Sequence, residues 1–164
     1  MKKRLAWVGD DPGNDPQNPN LQTGGFEMSA GKIKELIRKN DQLGRLLGVE
    51  LTDVSEGRAY AELTVKKEHL NAAGVCHGGS IFALADIALA AASNSCGQVA
   101  LLTNGNIQVF HATQLGDTLI AKAKEVSASR KLAHYRVKVT NRAGDQIAVY
   151  NATVYKTSAP LPEA

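Results

Sequence analysis

The chain has 164 residues, a length that suits a single domain. Hydrophobic residues make up 43% of it and aromatic residues only 5%, so a core must be built from Ala, Leu, Ile and Val. The formal charge of +3, without a long Lys/Arg run, argues against a nucleic-acid partner and still suits an anionic small ligand such as a phosphorylated cofactor.

In chain order, residues 1–28 are rich in Asn, Asp, Gly, Gln and Pro and read as a flexible extension. The basic start Met1-Lys2-Lys3-Arg4 is not followed by the apolar stretch of a signal peptide. Order is expected from Ser29, in a domain over 29–157 with a short tail at 158–164. Ile33, Leu36 and Ile37 stand at helical spacing within 32–39, and 41–47 reads as a second short helical turn. The period then changes to two. Ala59, Ala61, Leu63 and Val65 share one face of a strand over 58–65, and Glu56-Gly57 turns the chain back from a partner strand over 47–54.

After a loop over 66–78 comes the segment GSIFALADIALAAASNS, residues 79–95. It is apolar on all sides except for Asp86, the pattern of a helix buried in the middle of a fold. Its alanines keep it slim, and Gly97 is a candidate C-cap. Strands follow at 99–110, 118–126, 132–140 and 146–156, separated by turns at Gly116-Asp117, 127–130 and 141–145. Two strands, a central helix and four further strands joined by tight turns imply an α+β fold with an antiparallel sheet. A single open sheet also leaves edges that invite pairing with a second copy.

Two features carry chemistry. An ionised Asp86 on an apolar helix costs several kcal/mol without a partner, so it must be hydrogen-bonded, protonated or exposed at a cleft. The bland alternative is a carboxylate capping backbone N–H groups of a nearby loop. The second feature is Cys76-His77-Gly78-Gly79 at the helix entrance. The first N–H groups of a helix lack intrahelical partners, and glycines admit a substrate to that backbone, which is how an oxyanion hole is made for acyl transfer. Alternatively, the two glycines merely turn the chain into the helix. Cys76 and Cys96 stand outside any CxxC pattern and no four-ligand Cys/His cluster occurs, so no metal is expected. Two lone cysteines suit a reducing cytoplasm, and no run of about 18 apolar residues is present to span a membrane.

The stretch NAAGVCHGGSIFALAD, residues 71–86, closely resembles the core motif of phenylacetate-pathway-type (PaaI-like) acyl-CoA thioesterases of the hotdog superfamily. The helix end Ala92-Ser93-Asn94-Ser95 and the turn Leu115-Gly116-Asp117-Thr118-Leu119 are similar to that group as well. The resemblance implies a hotdog fold, with a five- or six-stranded antiparallel sheet wrapped around one long helix. It implies hydrolysis of an aryl- or short/medium-chain acyl-CoA, with no cofactor beyond the CoA of the substrate. Asp86 corresponds to the general base or nucleophile, and Gly78 to the backbone N–H that polarises the thioester carbonyl. Asn71 falls where an amide side chain lies near the reacting groups, and His77 either orients the loop or takes part in catalysis. Gly79 and Phe82 would border the substrate.

The chain departs from the family in two places. His111-Ala112 stands where related enzymes often have Arg-Pro, so Arg130 and Lys131 are the candidates for holding CoA phosphates. Ala90 occupies the place of a threonine in another branch, leaving Ser93 as a candidate hydroxyl. The resemblance further implies a homodimer or homotetramer with each active site between two subunits. A non-catalytic acyl-CoA-binding protein and a hotdog hydratase or dehydratase are the competing readings.

Overall fold

The computed structural model describes residues 23–162, with side chains from residue 31 onward. The expected extension therefore lies largely outside the described residues. The elements in order are α1 (Thr23–Asn40), α2 (Gln42–Leu47), β1 (Glu50–Ser55), β2 (Arg58–Thr64), a 3₁₀ turn (Lys67–His69), α3 (Gly78–Ser93), β3 (Gln98–Val109), β4 (Thr118–Ala128), β5 (Leu132–Asn141) and β6 (Gln146–Pro160). The six strands form one antiparallel sheet in the order β1-β2-β4-β5-β6-β3. This is the α+β architecture expected from the sequence, in its six-stranded form.

The core lies between α3 and the helix-facing side of the sheet. Ala85, Ala88, Ala91 and Ala92 of α3 are buried, as are Ala59 and Ala61 of β2 and Ala121 and Ala123 of β4. Small residues on both surfaces let the helix approach the sheet closely. Ile81, Leu84 and Leu89 anchor it there, each buried side chain contributing about 1.5–3 kcal/mol. The alternation read at 59, 61, 63 and 65 is the buried face of β2 and its continuation.

Several boundaries differ from the sequence reading. α1 begins at Thr23, ahead of both Ser29 and the periodic stretch at 32–39. Ile33, within the periodic stretch, is buried in the core. β1 begins at Glu50, not 47, because Gly48 adopts φ 67° and closes α2, its N–H reaching back to the Arg45 and Gly44 carbonyls. α3 ends at Ser93. Asn94, rather than Gly97, caps it: its side chain donates to the Ala90 carbonyl at 2.9 Å and accepts the Ala100 N–H at 2.9 Å. β6 continues to Pro160, through residues expected to be a tail from 158, because β3 pairs with it as far as Gln98↔Pro160.

Candidate active site

α3 is not equally enclosed on all sides. Between Ser80 and Ser93 every residue is buried except Phe82, Asp86 and Ala90. These three stand four residues apart, one above another on the helix. The exposed Gly78 begins the same row and the half-buried Asn94 ends it. The acidic residue and the candidate oxyanion donor therefore share one accessible stripe of α3, and Gly79, at the head of the helix, is its other exposed residue.

The N-terminus of α3 is held from several directions. The Cys76 N–H donates to the Thr113 carbonyl at 2.9 Å, and the His77 N–H to the His69 carbonyl at 2.7 Å. His77 is the N-cap, with φ −66° and ψ 134°, and its Nδ1 accepts the Gly79 N–H at 2.8 Å. A Cβ at position 79 would lie 3.0 Å from that nitrogen, so glycine lets the imidazole close over the helix end. The Ser80 and Ile81 N–H groups both turn to the His77 carbonyl. The Gly78 N–H takes no hydrogen bond among the described residues, and a Cβ at Gly78 would meet nothing within 4 Å. The helix thus ends in one open donor with free approach, at the positive end of its dipole.

Asp86 is half-buried, and its Oδ1 accepts the Tyr150 hydroxyl at 3.2 Å. Burial pushes its carboxyl up from the ordinary value; the Tyr150 hydrogen bond opposes the shift and the Asp41 charge adds to it. The Tyr150 phenol is raised in turn by burial, by the Asp86 charge and by the hydrogen bond. Phe82, one turn before Asp86, meets the Tyr150 ring edge-on with centroids 5.0 Å apart.

The remaining sequence-predicted residues divide. Asn71 organises its own loop: Oδ1 accepts the Ala73 N–H at 2.9 Å and the Val75 N–H at 3.3 Å, and its amide nitrogen takes no partner among the described residues. Ser93 is buried off the row, where its Oγ donates to the Ala90 carbonyl, so it is not the candidate hydroxyl. Arg130 and Lys131 are exposed in the β4–β5 hairpin, at the opposite end of the sheet from Gly78. The Lys131 ammonium donates to the Tyr155 hydroxyl at 2.9 Å. A cavity of about 500 Å³ between α1, α2 and β1 touches α3 at Ile87 and includes none of the predicted site residues.

Three residues escaped the sequence reading. His69 is buried, and its Nδ1 accepts the Lys66 N–H at 3.0 Å while its carbonyl holds His77. Tyr150 is the donor to Asp86. Gly105 makes room for that tyrosine: a Cβ there would lie 2.6 Å from its Cε2. Tyr150 is one of the buried residues of β6, and the sequence reading placed the strand without assigning its faces.

Comparison with known proteins shows the family and the fold. The model of a family described as the thioesterase superfamily matches residues 73–156. A protein of Archaeoglobus fulgidus, provisionally named an esterase, is 46% identical over 80% of this chain and 85% of its own length. The acyl-coenzyme A thioesterase PaaI of Escherichia coli is 30% identical over 75% of this chain and 88% of its own. A solved structure of E. coli PaaI, from the phenylacetic acid degradation operon, superposes with a TM-score of 0.80 at 27% identity, covering 84% of this chain and 99% of that one. A Streptococcus mutans protein solved with acetyl-CoA superposes with a TM-score of 0.66 at 27% identity, over 69% and 91% of the two chains. A family match over half of the chain, a hotdog sheet around α3 and relatives of this similarity make the chain a member of the thioesterase superfamily, a thioester hydrolase of the PaaI-like group.

Proposed function

We propose that this chain hydrolyses acyl-CoA thioesters to free acid and CoA, with Asp86 as general base or nucleophile and the Gly78 N–H as oxyanion donor. The observation that carries the reading is the accessible face of α3, which presents an open helix-terminal N–H and a half-buried carboxylate, the two halves that a second copy would bring together. When water attacks the thioester carbon, Asp86 accepts its proton, the carbonyl oxygen gains negative charge beside the Gly78 N–H, and collapse expels the CoA thiolate. As a nucleophile, Asp86 would instead attack the thioester carbon and expel the CoA thiolate, leaving a mixed anhydride that water opens to the free acid and the restored carboxylate. A fixed donor aimed at the developing oxyanion is worth about 10²–10³ in rate.

Gly78 and Asp86 of one chain do not serve the same carbonyl. Eight residues of helix separate them by about 12 Å. The reacting pair therefore comes from two subunits, the Gly78 loop of one facing the Asp86 of the other. The long edge strand β3, paired among the described residues only with β6 and exposing Leu101, Leu102 and Val109, supports a homodimer joined at that edge, further paired into a homotetramer. Asn71, whose amide nitrogen takes no partner among the described residues, offers that amide to the reacting groups, and His77 orients the loop through its cap on Gly79. Arg130 and Lys131, remote from Gly78 within one chain, hold CoA phosphates across such an interface. Phe82 and Gly79 border an aryl or a short- to medium-chain acyl group. No cofactor, nucleic acid or membrane takes part, and the two free cysteines suit the cytoplasm.

The test is thiol release from a panel of acyl-CoA substrates, followed with a chromogenic thiol reagent. Wild type should release CoA and Asp86→Asn should lose activity by orders of magnitude. Wild-type turnover in Asp86→Asn would sink the assignment of that residue. Binding of CoA esters with no thiol release by wild type would identify a binding protein instead.

A further inference from the structure

The partner that α3 finds for Asp86 is specific in its geometry. Tyr150 is fully buried, yet its hydroxyl reaches Oδ1 of a carboxylate that lines the accessible row. The hydroxyl is not simply capping the nearest backbone group. It belongs to β6, 64 residues away in the chain, and the ring must cross the helix–sheet interface to deliver it.

Two neighbours fix that ring. Phe82 meets it edge-on at 5.0 Å with an interplanar angle of 63°. On the other side, β3 carries glycine at 105, and a Cβ there would fall 2.6 Å from Cε2 and 2.8 Å from Cζ of the ring. The β3–β6 register pairs Tyr150 with Ile107 and Gly105 with Ala152, so Gly105 is the diagonal cross-strand neighbour of the tyrosine. Any side chain at 105 would contest the space in which the phenol points at Asp86.

We propose that Tyr150 is a positioning residue for Asp86: its O–H holds Oδ1, leaving Oδ2 to meet the water or the thioester carbon, and Gly105 is the vacancy that makes this possible. The inference rests on Asp86 being the reacting carboxylate. The hydrogen bond has two consequences. It fixes the carboxylate plane, removing a rotation that would otherwise have to be frozen at each turnover. It also stabilises the ionised form, which burial disfavours, and so keeps a base available at lower pH. Burial and the Asp86 charge hold the phenol proton on Tyr150, so the tyrosine is a standing donor.

The other groups around Asp86 do not supply this bond. Asp41, the N-cap of α2, acts on it through charge and raises its pKa. α3 and β3 carry no other ionisable side chain. The buried residues of β2 and β4 that face the helix are Ala59, Ala61, Leu63, Leu119, Ala121 and Ala123, and β1 contributes Val54. On β5, Val137 and Val139 are apolar, and the Tyr135 hydroxyl donates to Glu125 at 2.8 Å. In the first two helices, Lys34 donates to the Thr52 carbonyl, Arg38 pairs with Glu35, and Arg45 donates to the Lys39 carbonyl.

Tyr150→Phe removes the hydroxyl and keeps the ring and its contact with Phe82. Its kcat is expected to fall about tenfold, the loss of one hydrogen bond to a charged group, with KM nearly unchanged. The acid limb of the kcat/KM profile should move to higher pH. Carboxyl ¹³C NMR of aspartate-labelled protein, with the Asp86 signal identified through Asp86→Asn, should show the same carboxyl titrating at higher pH in Tyr150→Phe. An inactive Asp86→Asn together with an unmoved titration and an unmoved acid limb in Tyr150→Phe would overturn the role of Tyr150 alone. Full activity in Asp86→Asn would overturn the mechanism on which the role depends, and both would fall.

Discussion

The imidazole of His77 and the backbone of Gly79 form a closed cap at the head of α3, with Nδ1 accepting the Gly79 N–H at 2.8 Å. The bond satisfies the second amide of the helix and leaves the first, that of Gly78, facing outward. A Cβ at position 79 would crowd the ring at 3.0 Å, so glycine there lets it fold back this far without strain. His77→Ala is expected to cost about 1 kcal/mol, the usual loss of an N-cap, or about 2–4 °C in Tm for a chain of this size. His77→Asn offers a new capping oxygen and should recover most of it. Thermal scans of the two variants decide the matter; equal melting points for His77→Ala and wild type would mean the cap contributes nothing.

The open donor can be deleted without breaking the helix. Gly78 is the first residue of α3, where proline is well tolerated and whose N–H has no intrahelical partner. The extended ψ of 134° at His77 suits a residue that precedes proline, and there is free space beside Gly78. Gly78→Pro should therefore fold with a far-UV spectrum like that of wild type and lose about 10²–10³ in kcat. Mixing Gly78→Pro with Asp86→Asn subunits adds a stronger test. Hybrid dimers should regain one working site, because the intact Asp86 of one subunit then faces the intact Gly78 of the other. Absence of recovered activity in verified hybrids would rule out shared sites.

Asp86 is held at a cost that depends on pH. Burial raises its folded-state pKa above the ordinary value of 3.8, so the folded protein binds this proton more tightly than the unfolded chain does. Its contribution to stability is therefore greatest below the unfolded pKa and is lost as pH rises through the folded value. Asp86→Asn keeps the shape and still accepts from Tyr150. It should melt above wild type at neutral pH, with the gap closing as pH falls toward 4. Melting curves measured across that range would contradict this if the gap stayed constant.

Gly105 and Tyr150 should be energetically coupled. Gly105→Ala drives a methyl group into the phenol ring and is expected to cost about 1–3 kcal/mol, as overpacking does. In a Tyr150→Leu background, where no ring occupies that space, the same substitution should cost clearly less. A double-mutant cycle in urea measures the difference. Additive costs would show that the two positions do not compete.

Much of this protein could be read from local pattern. Period-two alternation located β2, because that strand buries alternate residues against the core and turns the others away from it. The run around Asp86 marked a buried helix carrying a single charge, and the glycines before it marked a helix entrance. Where a boundary depended on a partner, local pattern misled: β6 runs to Pro160 because β3 lies beside it, and α3 stops at Ser93 because Asn94 reaches across to Ala100. Only the tertiary structure decided that Phe82, Asp86 and Ala90 are the uncovered row of α3, and that Arg130 and Lys131 sit at the far end of the sheet from Gly78. The same holds for the Tyr150 hydroxyl on Asp86 and for Gly105 beneath the ring. Helical and strand periods report which way a side chain points from its own backbone. What it meets there is set by the register of three paired strands and the seat of one helix upon them, a relation among residues up to 64 positions apart.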